Sequence, residues 1–187
     1  MKKLIWTYGL LGGFISTVGY LFTVNSEMSA EAMNNGMIYG FTSMIIAFAL
    51  MFIAIKTYRD KQNGGTISFG KAFLMGFYMA LITSTIYVAV WLVVLYNFHP
   101  DFAEKYTQFQ LEQMTEAGAT AAQLDAHKAE SLKFIEQYKN PVIVVLYTYM
   151  EILPIGIIVA LIAAAILKRK AKTNQKEEFN SWVESQE

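Results

Sequence analysis

Charged residues vanish from four stretches of this chain and crowd between them. Residues 4–24, 36–55 and 72–96 contain no Asp, Glu, Lys or Arg, and residues 142–167 contain one, Glu151. A helix needs about 20 mostly apolar residues to cross the hydrocarbon of a bilayer, and each stretch is that long. A buried helix of a water-soluble domain would show polar residues along one side at helical spacing. These stretches are apolar nearly all round. The pattern predicts an all-α integral membrane protein built as a four-helix transmembrane bundle.

Polar residues between the spans set the expected orientation. Lys and Arg gather at the N-terminus (Lys2, Lys3), in the second connection (Lys56, Arg59, Lys61, Lys71) and after the last span (Lys168, Arg169, Lys170, Lys172, Lys176). The first connection, residues 25–35, has none and carries Glu27 and Glu31. The third, residues 97–141, sets four lysines against seven acids. Positive flanks stay in the cytoplasm, so the reading is N-in/C-in, with the first and third connections outside. Residues 1–170 form the membrane domain and 171–187 a cytoplasmic tail. Lys168, Arg169 and Lys170 read as an anchor for the helix end that can touch anionic lipid. Phe179 and Trp182 in the acidic end are weak candidates for a docking contact. Lys2 and Lys3 could also open a secretory signal, but an apolar run of about 21 residues exceeds the usual signal core.

The third connection is too long to be structureless. Phe102, Tyr106, Phe109 and Gln113 follow three-four spacing, with Asp101 and Glu104 resembling a capping box and Gly118 placed as a stop. Thr120 with Gln123 makes a second box, after which Leu124, Lys128, Leu132, Ile135 and Tyr138 share a face. An extracytoplasmic helical hairpin is expected here, as a cap on the bundle, a lid, or a partner-binding element. Pro141 marks entry to the last span.

Small residues recur every four positions: Gly9 and Gly13, Gly12 and Ser16; Gly36, Gly40, Ser43 and Ala47; Ala72, Gly76, Ala80 and Ser84; Gly156, Ala160 and Ala164. Such ridges let helix backbones approach closely in lipid. They fit a tight bundle and fit a homodimer or a membrane protein partner equally well. No span carries a polar stripe, which argues against a wide aqueous pore. Trp6, Tyr20, Tyr58, Trp91 and Tyr96 lie near span ends, as interfacial anchors do.

Composition adds exclusions. The 187 residues are 55% hydrophobic and 16% charged, with zero formal net charge and no cysteine. Disulfides and thiolate chemistry are ruled out, and no bulk field recruits nucleic acid. His99 and His127 show no metal-ligand spacing, and HExxH, GxSxG and paired intramembrane carboxylates are absent. Gly64 and Gly65 lack the lysine and hydroxyl spacing of a phosphate loop. No catalytic, cofactor or metal residue is assigned, and the chain reads as a non-enzyme.

Glu151 is the sharpest residue. It lies about 13 Å into the last span at 1.5 Å per residue. A charge there costs at least a few kcal/mol, so the group must be protonated, paired or beside a wet cavity. Candidate partners are Tyr147 and Thr148 on its own helix and Ser84, Thr85 and Tyr87 on the third. Pro154 frees the carbonyl of Met150, and the two together make a plausible proton or ligand site. The alternative is a neutral acid that hydrogen-bonds the bundle together.

The Gly12-Gly13 first span, the run Gly64-Gly65-Thr66-Ile67-Ser68-Phe69-Gly70 with Ala72-Phe73 and Gly76, and Ser84 with Tyr87 give the chain a family look. It resembles the bacterial membrane family catalogued as domain of unknown function 4199, over about residues 3 to 170. The resemblance implies a four-span protein of the bacterial inner membrane and no particular reaction. Two functions are carried forward. One is a structural or accessory subunit of that membrane. The other is a small proton- or ion-linked transporter using Glu151 beside the Pro154 kink.

Overall fold

The structure, a computed structural model, describes residues 1–20, 30–170 and 182–185. Residues 21–24 of the expected first span, 25–29 of the first connection, and 171–181 of the tail with Phe179 lie outside the described residues. Among the described residues the longer helices are, in order, α1 (Lys2–Ser16), α2 (Ala30–Gln62), α3 (Phe69–Phe98), α4 (Phe102–Glu116), α5 (Ala121–Tyr138) and α6 (Pro141–Leu167). Among the described residues three helices are long and apolar enough to cross a membrane: Met33–Gln62 within α2, then Phe69–Phe98 and Pro141–Leu167. The apolar run at residues 4–24 behaves differently. Helix α1 ends at Ser16, where the Ser16 and Thr17 hydroxyls turn back onto the carbonyls of Gly13 and Phe14, each at 2.8 Å, and after this turn the chain is helical again at residues 18–20, the last described before residue 30.

Helix α3 is the spine. It packs along α6 on one side and α1 on the other, while α2 closes against α1 and α6. The small-residue ridges explain why. A methyl group added at Gly76 would stand 2.7 Å from the Cβ of Ala160, and one at Gly156 would stand 2.9 Å from both the Cβ of Ala80 and the Phe48 ring. The ridges of the third and fourth spans therefore face one another inside the chain. Gly9, Gly12 and Gly13 seat α1 against Ile82, Thr83 and Ile86 of α3. Thr83 donates to the carbonyl of Gly9 at 3.1 Å, and Ser43 of α2 donates to that of Ser16 at 3.1 Å, so polar bonds stitch the same contacts. Phe48, Met44 and Met51 of α2, Met75 and Met79 of α3 and Ile152 of α6 fill the space between.

The end bearing the second connection is knitted together in a way the sequence does not advertise. Gly64 and Gly65 both take left-handed backbone (φ +60 and +77), which turns the chain after α2. Ile67 then pairs with Arg169 through two backbone bonds of 3.0 and 2.9 Å, and the Arg59 guanidinium donates to the carbonyl of Leu167 at the end of α6. The basic flank thus also holds the connection in place.

At the opposite end the two shorter helices pack on each other. Helix α4 ends in a Schellman turn. Gly118 (φ +80) donates to the Thr115 carbonyl at 3.0 Å, and Ala119 donates to that of Met114 at 2.9 Å. The capping box at Thr120 and Gln123 forms in full. The one expected at Asp101 does not. Asp101 makes no cap bond; its carboxylate pairs with Lys105 at 2.8 Å, and the Lys105 ammonium holds that carboxyl below its usual range. The inward face of α5 agrees with the expected one at Leu124, Ile135 and Tyr138, which are part-buried, and departs from it at Leu132. Leu132 is 70% exposed, whereas Ser131 is buried and Phe134 turns inward onto Tyr106 and Tyr138. Ring contacts outweigh the simple apolar count at that register.

Candidate functional site

Where α1 stops, a cavity of about 400 Å³ opens between the first turns of α2 and α6, the last turns of α3, and the undersides of α4 and α5. Gly19 lets the chain come close to α2 beside it, since a methyl group on Gly19 would meet the Gly40 Cα at 3.1 Å. Glu151 lies on the wall. It is exposed although protein surrounds it on most sides, because its side chain faces the cavity and not the core. Tyr87 donates to its Oε1 at 3.3 Å.

From Tyr87 a train of rings runs around the cavity. Tyr20 lies 4.9 Å from Tyr87 and 5.2 Å from Trp91, centroid to centroid. Trp91 meets Phe102 edge-on at 4.8 Å and donates its indole N–H to the Tyr138 hydroxyl at 3.1 Å. Phe134 then bridges Tyr138 at 4.9 Å and Tyr147 at 6.0 Å. Tyr147 is one helical turn before Glu151, on the same face of α6. The train leaves the carboxylate through α3 and returns to it through α6. Burial pushes the Tyr138 phenol up to about 12; the Trp91 bond pulls it down and the Glu151 carboxylate raises it further. Tyr106, deeper under α4, is raised by burial and by the same carboxylate.

The sequence-chosen residues separate here. Glu151, Tyr87, Tyr147 and Thr148 all line the cavity. Thr148 spends its hydroxyl on the Val144 carbonyl at 2.8 Å, and Tyr147 donates to Gln137 of α5 at 2.7 Å. Ser84 is fully buried away from the cavity, and its hydroxyl meets no hydrogen-bond partner among the described residues. Thr85 pairs with Tyr149 at 2.8 Å. Pro154 lies inside α6, yet neither it nor Met150 belongs to the lining. Tyr20 and Trp91, expected as lipid-interface anchors, turn inward instead, and Tyr58 bonds Asn63 at the other end. Trp6 and Tyr96 stay exposed. His99, Phe102, Phe134 and Tyr138 join the lining without having been singled out as site residues. The spacing of Tyr87 and Trp91, four apart on one helix face, was the available signal.

The family model described as "Protein of unknown function (DUF4199)" matches residues 7–169. The chain belongs to that family. The match takes in every helix that borders the cavity, apart from the first turn of α1. No curated protein and no solved structure matches the chain.

Proposed function

We propose that this member of the DUF4199 family is a multi-pass protein of the bacterial inner membrane whose outward cavity takes up a solute, with Glu151 as its charged group. The carrying observation is the placement of Glu151 on the wall of a cavity of about 400 Å³, where Tyr87 donates a hydrogen bond to its carboxylate. A structural glutamic acid would be packed between helices. The volume falls within the range of about 300–1,000 Å³ usual for small-molecule sites.

Orientation rests on the lysine and arginine pattern. Four crossings with both termini inside place residues 97–141, and with them the mouth of the cavity, on the outer face. In this reading α4 and α5 form the outer hairpin and act as its roof. The first crossing begins with α1 and continues through residues beyond Thr17. Four crossings are few for a carrier, so transport would call for a second copy or another membrane protein beside this one, with the bilayer as the common partner. Nothing in the chemistry of the lining calls for catalysis.

The state of the Glu151 carboxyl in lipid tests this reading. Infrared difference spectra should show a carboxyl band that shifts promptly in D₂O and converts reversibly to carboxylate as outside pH rises. Glu151→Gln should remove it. A band that stays protonated and unexchanged through the neutral range means a dry hydrogen bond, and the accessory-subunit reading takes over.

A further inference from the structure

The cavity's lining is lopsided in charge. Among the described residues Glu151 is its one carboxylate, and no lysine or arginine lines it. His99 is the remaining titratable group besides the phenols, and it is buried with partners of its own. The hydroxyls of Ser16 and Thr148 are turned onto carbonyls of their own helices. Nearly everything else is apolar or aromatic. An anion would meet a carboxylate with no compensating cation. A bare metal ion needs several oxygen or nitrogen ligands, and no cluster of three such side chains exists among the described residues. A proton alone needs neither this volume nor these rings.

One chemical class satisfies all of these features together. Aromatic faces attract a cation within about 6 Å of the ring centroid, and cages of such rings recognise substituted ammonium groups. The rings of Tyr20, Tyr87 and Trp91 succeed one another at 4.9 and 5.2 Å, beginning at the Tyr87 hydroxyl that touches Glu151. A charge seated against Glu151 would lie beside the hydroxyl end of Tyr87, and its apolar substituents would lie along the aromatic and apolar lining. We propose that the cavity binds a lipophilic organic monocation, a substituted ammonium, with Glu151 as counter-charge and the packed rings of Tyr20, Tyr87 and Trp91 as an aromatic wall beside it. This rests on the solute-binding reading above and narrows it to one ligand class.

Trp91 is a built-in reporter. The chain has three tryptophans, and the other two, Trp6 and Trp182, are exposed, so Trp6→Phe with Trp182→Phe leaves Trp91 alone. The protein in neutral maltoside micelles is titrated with benzyltrimethylammonium, benzyl alcohol and benzenesulfonate. The expected result is saturable quenching of Trp91 by the ammonium alone. Glu151→Gln should weaken it roughly tenfold or more, as loss of one partner of a desolvated charge pair does. Tyr20→Leu, which leaves the carboxylate in place, should weaken it as well, so a failure of Glu151→Gln to fold does not remove the test. Equal binding of the alcohol or the sulfonate overturns the cation proposal and leaves a solute cavity standing. No saturable binding by any probe, with a Glu151 carboxyl that still exchanges in D₂O, also overturns the cation proposal alone. No binding together with a dry carboxyl overturns both.

Discussion

Gly76→Leu should abolish the folded protein. The Cβ of any residue at this position would begin 2.7 Å from the Cβ of Ala160 and 3.1 Å from its Cα, where carbon atoms settle at about 3.5–4.0 Å. Ala160 has no rotamer to yield with, because the atoms in the way are backbone or bonded to it. The helices α3 and α6 would have to part by about 1 Å along the most extensive contact in the fold. Overpacking of this kind costs about 1–3 kcal/mol in soluble cores and sometimes more. In a bilayer the loss is harder to absorb, since close packing and not water drives helix association. Gly76→Ala should be milder in the same direction. Gly70→Ala, where nothing lies within 4 Å, is the control. Thermal melting followed by size-exclusion in detergent reads the outcome. A Gly76→Leu protein that melts with the parent would refute the packing of α3 on α6.

Trp91→Ala should release the roof of the cavity. Its ring stands between Tyr20 and Phe102, and its N–H holds Tyr138, so one side chain joins α3 to both α4 and α5. Removing a buried tryptophan costs about 3–5 kcal/mol in soluble proteins, and the hydrogen bond adds about 1. The spans should survive, because Trp91 lies at the end of α3, apart from the methionine-rich core. The expected result is protease cleavage near residues 116–120 at least tenfold faster than in the parent, the rate that about 1.4 kcal/mol of lost docking energy gives. Trp91→Phe keeps a ring and loses the N–H, and should fall between. Unchanged cleavage in Trp91→Ala would mean that α4 and α5 are held by other contacts, the Tyr147–Gln137 bond among them.

How much of this was legible beforehand depends on the range of the interaction. The spans at 36–55, 72–96 and 142–167 show in the sequence because exclusion of charge is local. The helices overrun those limits, α2 reaching Gln62, because charged side chains are welcome once a helix leaves the hydrocarbon. The turn at Thr17 is not legible in hydropathy, since Ser16 and Thr17 differ little from their neighbours until their hydroxyls turn back on the helix. Gly118 and the Thr120–Gln123 box show because caps are local motifs. The Asp101 box fails because Lys105, four residues on, competes for the same carboxylate. Glu151 is conspicuous from charge alone. The surroundings of Glu151 are not, because Phe102, Phe134 and Tyr138 come from a connection that only the tertiary fold brings over it. Ser84 and Tyr87, three residues apart, looked equally able to reach Glu151, and only Tyr87 does.

The most direct test of a solute-accessible cavity uses the absence of cysteine from the chain. Glu151→Cys and, as control, Ile152→Cys, whose parent side chain is fully buried, are placed in intact cells. A small, charged, membrane-impermeant methanethiosulfonate is then added outside. The account predicts that Glu151→Cys is modified within minutes from the outside and Ile152→Cys stays inert. A Glu151→Cys protein that reacts only after denaturation, or only from the cytoplasmic side, would contradict it.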